Sequence, residues 1–172
     1  MGVPNHVSRA RIRPGRKDEV RAIAEVVTAA ASWANEHGDH AWPVPFPPER
    51  VAEPVDRGEL FVAEVDGELA GSVVLRWEDP AFWGDQPPIA GYLHMLAVRH
   101  DRPVRGLGRQ LVRWAAGHVR ERGRSLLRLD CLASNARIIR YYEDQGFRGI
   151  RVVPYPYSPE AFDVLLMEKP VG

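Results

Sequence analysis

The run Arg105-Gly106-Leu107-Gly108-Arg109-Gln110-Leu111 carries the clearest chemical signal in the sequence. Two glycines at i and i+2 open a segment with helical apolar spacing. Bare backbone N–H groups at a helix N-terminus, at the positive end of the helix dipole, form an anion site that suits phosphate. Glycine lets a pyrophosphate approach the backbone closely. Arg99, Arg102, Arg105 and Arg109 place four cations within eleven residues of an otherwise neutral chain. A plain glycine-containing loop before an ordinary helix fits the glycines alone equally well. Two better-known phosphate loops are excluded. A dinucleotide fingerprint needs a third glycine where this chain has Leu111, and a P-loop needs Gly-Lys-Ser/Thr, which is absent.

Such a turn must hang between a strand and a helix, and the patterning supplies both. Residues 91–98 read as an apolar strand, and 107–122 as a helix with Leu107, Leu111, Trp114, Ala115 and His118 on one side, stopped at Gly123. Upstream, 10–13 read as a strand and 17–35 as a helix with Val20, Ile23, Ala24, Val27, Ala30, Ala31 and Ala34 at helical spacing. A stiff proline-rich loop spans 37–48, and 49–57 read as a short helix despite Pro54. Residues 60–65 and 69–77 form a hairpin about Asp66-Gly67. A loop over 78–88 carries Trp83. Residues 126–132 are a strand, 135–145 a helix stopped by Gly146, and 147–153 and 162–168 two closing strands. The order β-α-(α)-β-β-β-α-β-α-β-β predicts an α/β or α+β domain.

Composition narrows the partners. The 172 residues hold 23 basic and 23 acidic side chains, so the formal net charge is zero, which argues against a nucleic-acid protein. One cysteine excludes an internal disulfide framework and a four-thiolate zinc site. His37 and His40, three apart in a loop, make a weak metal pair, so no metal is expected. No apolar run reaches the ~20 residues of a membrane span. The first residues have no signal-peptide core, so a cytoplasmic protein with no membrane partner is expected.

Tyr92-Leu93-His94-Met95-Leu96-Ala97-Val98 followed by the glycine turn resembles the acetyl-CoA-binding motif of the GNAT superfamily of N-acetyltransferases. Asn135, then Tyr142-Glu143, then Gly146-Phe147 resembles that family's second signature. The order and spacing of the two make the resemblance specific. It implies one domain over 1–172, with a core over 12–168. It also implies a central mixed twisted sheet of about six or seven strands with a splayed parallel pair, flanked by about four helices. One departure stands out: the family's Gln or Arg, three residues before the first glycine, is Pro103 here.

The resemblance assigns acetyl-CoA as acyl donor. Leu96, Ala97 and Val98 would offer backbone groups to its pantetheine arm. Arg105, Gly106, Leu107, Gly108, Arg109 and Gln110 would cradle the pyrophosphate, and Asn135 would reach the pantetheine. Asn135 also suits a helix N-cap, and the two roles are compatible. Val98 N–H would serve the oxyanion. Tyr142 falls where the family places its general acid, and a phenol stays protonated at neutral pH; core packing is its plain alternative. His94 stands where relatives carry a glutamate. By period-two alternation it shares a strand face with Tyr92, Leu96 and Val98. A base and a packed core histidine are equally good readings of His94. Glu78, Asp79 and Asp85 are further candidates.

On the acceptor side, Trp33, Trp83 and Tyr92 are the expected substrate contacts. Trp42, Phe46, Trp77, Phe82, Tyr155 and Tyr157 lie in the same regions. Aromatic walls with an acidic edge suit a small primary amine with an apolar body. The rival readings are a protein N-terminal or lysine acetyltransferase and a non-catalytic CoA-binding module. The family also includes homodimers.

Overall fold

The computed structural model describes residues 9–40, 42–101 and 104–172. Arg102 and Pro103, and with them the departure from the family pattern, lie outside the described residues. Among the described residues seven strands form one mixed sheet in the order β1-β2-β3-β4-β5-β7-β6. They are β1 Arg11–Pro14, β2 Leu60–Val65, β3 Glu68–Arg76, β4 Ala90–Val98, β5 Leu126–Leu132, β6 Arg148–Pro154 and β7 Asp163–Pro170. The helices are α1 Val20–Glu36, α2 Glu49–Asp56, α3 Pro80–Trp83, α4 Leu107–Glu121 and α5 Ala136–Glu143. The expected mixed sheet with one parallel pair is present, with one helix more than expected.

The chain divides into two compact units. The first comprises the residues up to Val73 with Met95–Leu111, the second Val74–His94 with Val112–Gly172. In the first, α1 forms because Ile23, Ala24, Val26, Val27, Ala30 and Ala31 recur on one face, and all six are buried. Helix α2 persists although Pro54 sits in its interior, at a cost of ~3 kcal/mol; Val51, Pro54 and Val55 are all buried. Phe46 is buried beneath the proline-rich loop, and its N–H donates to Thr28 Oγ1 at 3.0 Å. Strands β1 and β2 pair antiparallel, clasped by Arg13, which donates to Glu64 at 3.0 Å and to Glu19 at 2.7 Å and 2.9 Å. Gly71 brings β3 close to the end of β4: a β-carbon there would lie 3.0 Å from the Ala97 carbonyl and 3.2 Å from Leu111.

In the second unit β5 is central. It pairs antiparallel with β7 along its whole length, but parallel with β4 only from Ala90↔Leu126 to Leu93↔Leu129. Asp130–Leu132 therefore run on past the last parallel pair. Leu127, Leu166 and Met167 are fully buried and Leu129 nearly so. The loop over 78–88 is not wholly irregular. Pro80 starts the one-turn helix α3, with the Trp83 N–H bonded to the Asp79 carbonyl at 3.0 Å, and Gly84 at φ 69° ends it.

Met95 adopts φ 46° within β4. This left-handed residue breaks the two-residue period. The expected single face of Tyr92, His94, Leu96 and Val98 is therefore interrupted between His94 and Leu96.

Candidate active site

The glycine turn belongs to the first unit and is made by backbone. Gly106 has φ 76°, with open space where a β-carbon would stand. Its carbonyl takes the first helical bond, from Gln110 N–H at 3.0 Å, while Leu107 N–H turns back to the Val104 carbonyl at 3.2 Å. The N–H groups of Gly108 and Arg109 lie in this first turn, at the helix start where backbone donors point out toward an anion. Leu107 is buried and pins the turn, while Arg105 is exposed. Arg99 is already engaged by Asp101, at 2.6 Å and 3.0 Å, and that hydrogen-bonded pairing raises its pKa. Ala97 is buried between half-buried Leu96 and Val98, and the next N–H, that of Arg99, donates to the Ala70 carbonyl at 2.9 Å.

The second unit builds its cluster from side chains. His94 Nε2 lies 3.1 Å from Asp79 Oδ2, and its Nδ1 lies 3.4 Å from Asp130 Oδ1. Register explains the second contact. Leu93 faces Leu129, so the next residues, His94 and Asp130, meet where the parallel pairing ends. Asp79 is the residue that precedes α3. Burial pushes the Asp130 carboxyl up to about 6; the His94 ring opposes that rise and the Asp79 charge adds to it.

Tyr142 lies on α5, nearly fully buried against Phe147 and Tyr141. Burial raises its phenol far above the ordinary value, with smaller contributions from Tyr141, Cys131 and Asp130, so the hydroxyl stays protonated. Among the described residues no hydrogen bond engages that hydroxyl. Asn135 caps α5, its Oδ1 accepting from Ile138 N–H at 3.1 Å.

The three expected acceptor contacts fall in different units. Trp33 belongs to the first unit and is stacked between His37 and His100, with ring centroids 4.0 Å and 3.9 Å away. Trp83 and Tyr92 belong to the second and share Arg128. Its guanidinium lies 4.4 Å over Trp83 and donates to the Tyr92 hydroxyl at 3.2 Å, to Gln86 Oε1 at 2.9 Å and to Glu168 at 3.1 Å. This buried network fastens the 78–88 loop to β4, β5 and β7. Phe82 lies beside His94, 5.7 Å between ring centroids, and Tyr155 and Tyr157 stand edge-on to Phe82 at 5.9 Å and 6.1 Å. Trp77 is taken up by Arg122 and Arg124 instead.

Asp130 went unforeseen in the sequence. It sits inside an apolar strand with no local motif around it. Only the pairing of Leu93 with Leu129 would have set it beside His94. Among the described residues no group of three or more His, Cys, Asp or Glu is arranged to hold a metal ion, and no helix is long and apolar enough to cross a membrane.

The model of the acetyltransferase (GNAT) family matches residues 25–147. The chain belongs to the GNAT acetyltransferase family. It is an acetyl-CoA-dependent N-acetyltransferase, with acetyl-CoA as acyl donor. It is 27% identical to the uncharacterized N-acetyltransferase YesJ of Bacillus subtilis over 143 residues, 78% of this chain and 79% of that protein. It is 32% identical to a mycothiol acetyltransferase of Thermomonospora curvata over 158 residues, 91% of this chain but 49% of that protein, so it spans about half of that relative. Among solved structures, yncA of Salmonella typhimurium, determined with its cofactor acetyl-CoA, shares the fold. Its TM-score is 0.68 at 19% identity, over 96% of this chain and 95% of that one.

Proposed function

We propose that this GNAT enzyme moves the acetyl group to the primary amine of a small molecule, by direct attack within a ternary complex formed by one domain over residues 1–172. The observation that carries this reading is the Asp79–His94–Asp130 cluster with Phe82, Tyr155 and Tyr157 beside it. Ring faces and carboxylates together favour an ammonium on a compact apolar body. In this reading the first-turn backbone N–H groups of α4, with Arg105, Gly106, Leu107, Gly108, Arg109 and Gln110, hold the donor pyrophosphate. Leu96 to Val98 pair with the pantetheine arm, which Asn135 also reaches, and Val98 N–H faces the developing oxyanion. Tyr142 protonates the departing sulfur, and the His94 cluster takes up the proton of the acceptor. Trp83 and Tyr92, locked by Arg128, support the aromatic wall. The cytoplasm, where acetyl-CoA is made available, is the expected setting.

The test is release of CoA thiol from acetyl-CoA across a panel of amines. It would include 2-phenylethylamine, spermidine, an amino acid amide, an aminoglycoside, and peptides bearing a free N-terminus or lysine. Turnover is expected with compact amines of apolar body. Turnover confined to the peptides would replace the small-molecule acceptor by a protein one.

A further inference from the structure

We propose that Asp130, and not His94, receives the proton of the acceptor ammonium, with His94 acting as a positioning residue clamped between Asp79 and Asp130. The proposal rests on the amine-acetylation reading above and divides the labour within its proton-transfer cluster.

Each ring nitrogen of His94 faces a carboxylate oxygen, at 3.1 Å and 3.4 Å. A neutral imidazole has one N–H and one lone pair, so it can satisfy only one of them. A lone pair aimed at the other carboxylate is repulsive. With both ring nitrogens turned to carboxylates, the ring presents neither of them to the acceptor, and the acceptor's proton is left to a carboxylate.

Of the two carboxylates, Asp130 is the one placed to receive it. Its side chain is 16% exposed against 6% for Asp79, and its contact with the ring is the longer. Asp79 is further tied at the start of α3, where its carbonyl accepts from Trp83. Asp130 lies one residue past the last β4–β5 pair, where the two strands cease to bond. Its charge also bears on the Tyr142 phenol, the acid of the proposed reaction. The groups facing Asp130 are His94 from β4, Asp79 from the loop before α3 and Tyr142 from α5, while its partner on β7 is the apolar Leu166. Burial, helped by the like charge of Asp79, makes the carboxylate basic enough to accept a proton.

The protons balance. The ammonium gives one proton to the Asp130 carboxylate and becomes a neutral amine. Its nitrogen attacks the thioester carbonyl, the C–N bond forms, and the C–S bond breaks as Tyr142 protonates the sulfur. The nitrogen's second proton makes good the one that Tyr142 gave, and Asp130 returns its own to solvent.

The experiment measures kcat/KM for 2-phenylethylamine against pH, with acetyl-CoA saturating, for the full chain and three variants. The wild type is expected to show an acidic limb near pH 6. Asp130→Asn should lose that limb and fall about 10²- to 10⁴-fold at the plateau, while Asp130→Glu keeps a limb. His94→Gln should keep the limb but move it to higher pH, because the ring lowers the Asp130 pKa. Melting curves show whether each variant is folded. The limb vanishing in His94→Gln while merely shifting in Asp130→Asn would overturn the assignment and make His94 the base. Absence of wild-type turnover with every amine of the panel would overturn the parent reading, and this assignment with it.

Discussion

The two chemical regions of this chain are built in opposite ways. The donor turn of the first unit, residues 105–110, is backbone: a glycine at φ 76° and the N–H groups of a helix start. The proton cluster of the second unit is side chain: Asp79, His94 and Asp130, drawn from three separate segments. A backbone site needs a fixed local sequence, because only certain residues allow its dihedral angles. A side-chain site needs only register, so its members can lie anywhere in the chain. Their carboxylates differ as well. Glu19 in the first unit is held down to about 2, chiefly by its hydrogen bonds with Arg13, whereas Asp130 in the second is pushed up to about 6, chiefly by burial.

The largest effect that sharpens this contrast is expected on the side-chain region. Tyr142→Phe should lower kcat by about 10²- to 10⁴-fold and leave acetyl-CoA affinity unchanged, as read by thiol release and calorimetry. A non-catalytic module would lose nothing. Because burial raises the Tyr142 phenol, activity should not decline on the alkaline side through its ionisation.

The paired carboxylates should respond to pH with opposite signs. Glu19 is lowered, so its contribution is full above its ordinary 4.5 and is lost as pH falls toward 2; shifts of this size correspond to roughly 3 kcal/mol. Arg13→Met should remove most of that acid dependence in denaturant titrations. Asp130 is raised, so its ionisation costs stability as pH climbs from about 4 to 6, and the cost persists above. Asp130→Asn should therefore raise the melting temperature at neutral pH while lowering activity. A melting temperature that falls would contradict the buried-charge account.

Gly106→Trp should weaken acetyl-CoA binding about 100-fold, ~2.7 kcal/mol, by filling the space beside the turn and straining φ 76°. The smallest effect is expected at Asn135→Ala, which removes the α5 cap and costs about 1 kcal/mol in stability.

Legibility in the sequence followed the same division. The strand and helix around the glycine turn, the hairpin at Asp66-Gly67 and the stop at Gly146 could be read because each is local: a period, a turn pair, a left-handed residue. Helix α3 was hidden because one turn gives no period, and its start at Pro80 and stop at Gly84 also suit a loop. The face shared by Tyr92 and His94 could be read, but its continuation to Leu96 and Val98 could not, since nothing about a methionine announces φ 46°. His94 was visible as a candidate. Its two carboxylate partners, one 15 residues upstream and one on the next parallel strand, were set by tertiary pairing.

The most direct test of the division is the affinity of acetyl-CoA for three proteins, measured by calorimetry: wild type, Gly106→Trp and Asp130→Asn. Asp130→Asn is expected to bind the donor as tightly as wild type, within about twofold, while Gly106→Trp loses about 100-fold. Equal losses in the two variants, or wild-type affinity in Gly106→Trp, would contradict the division.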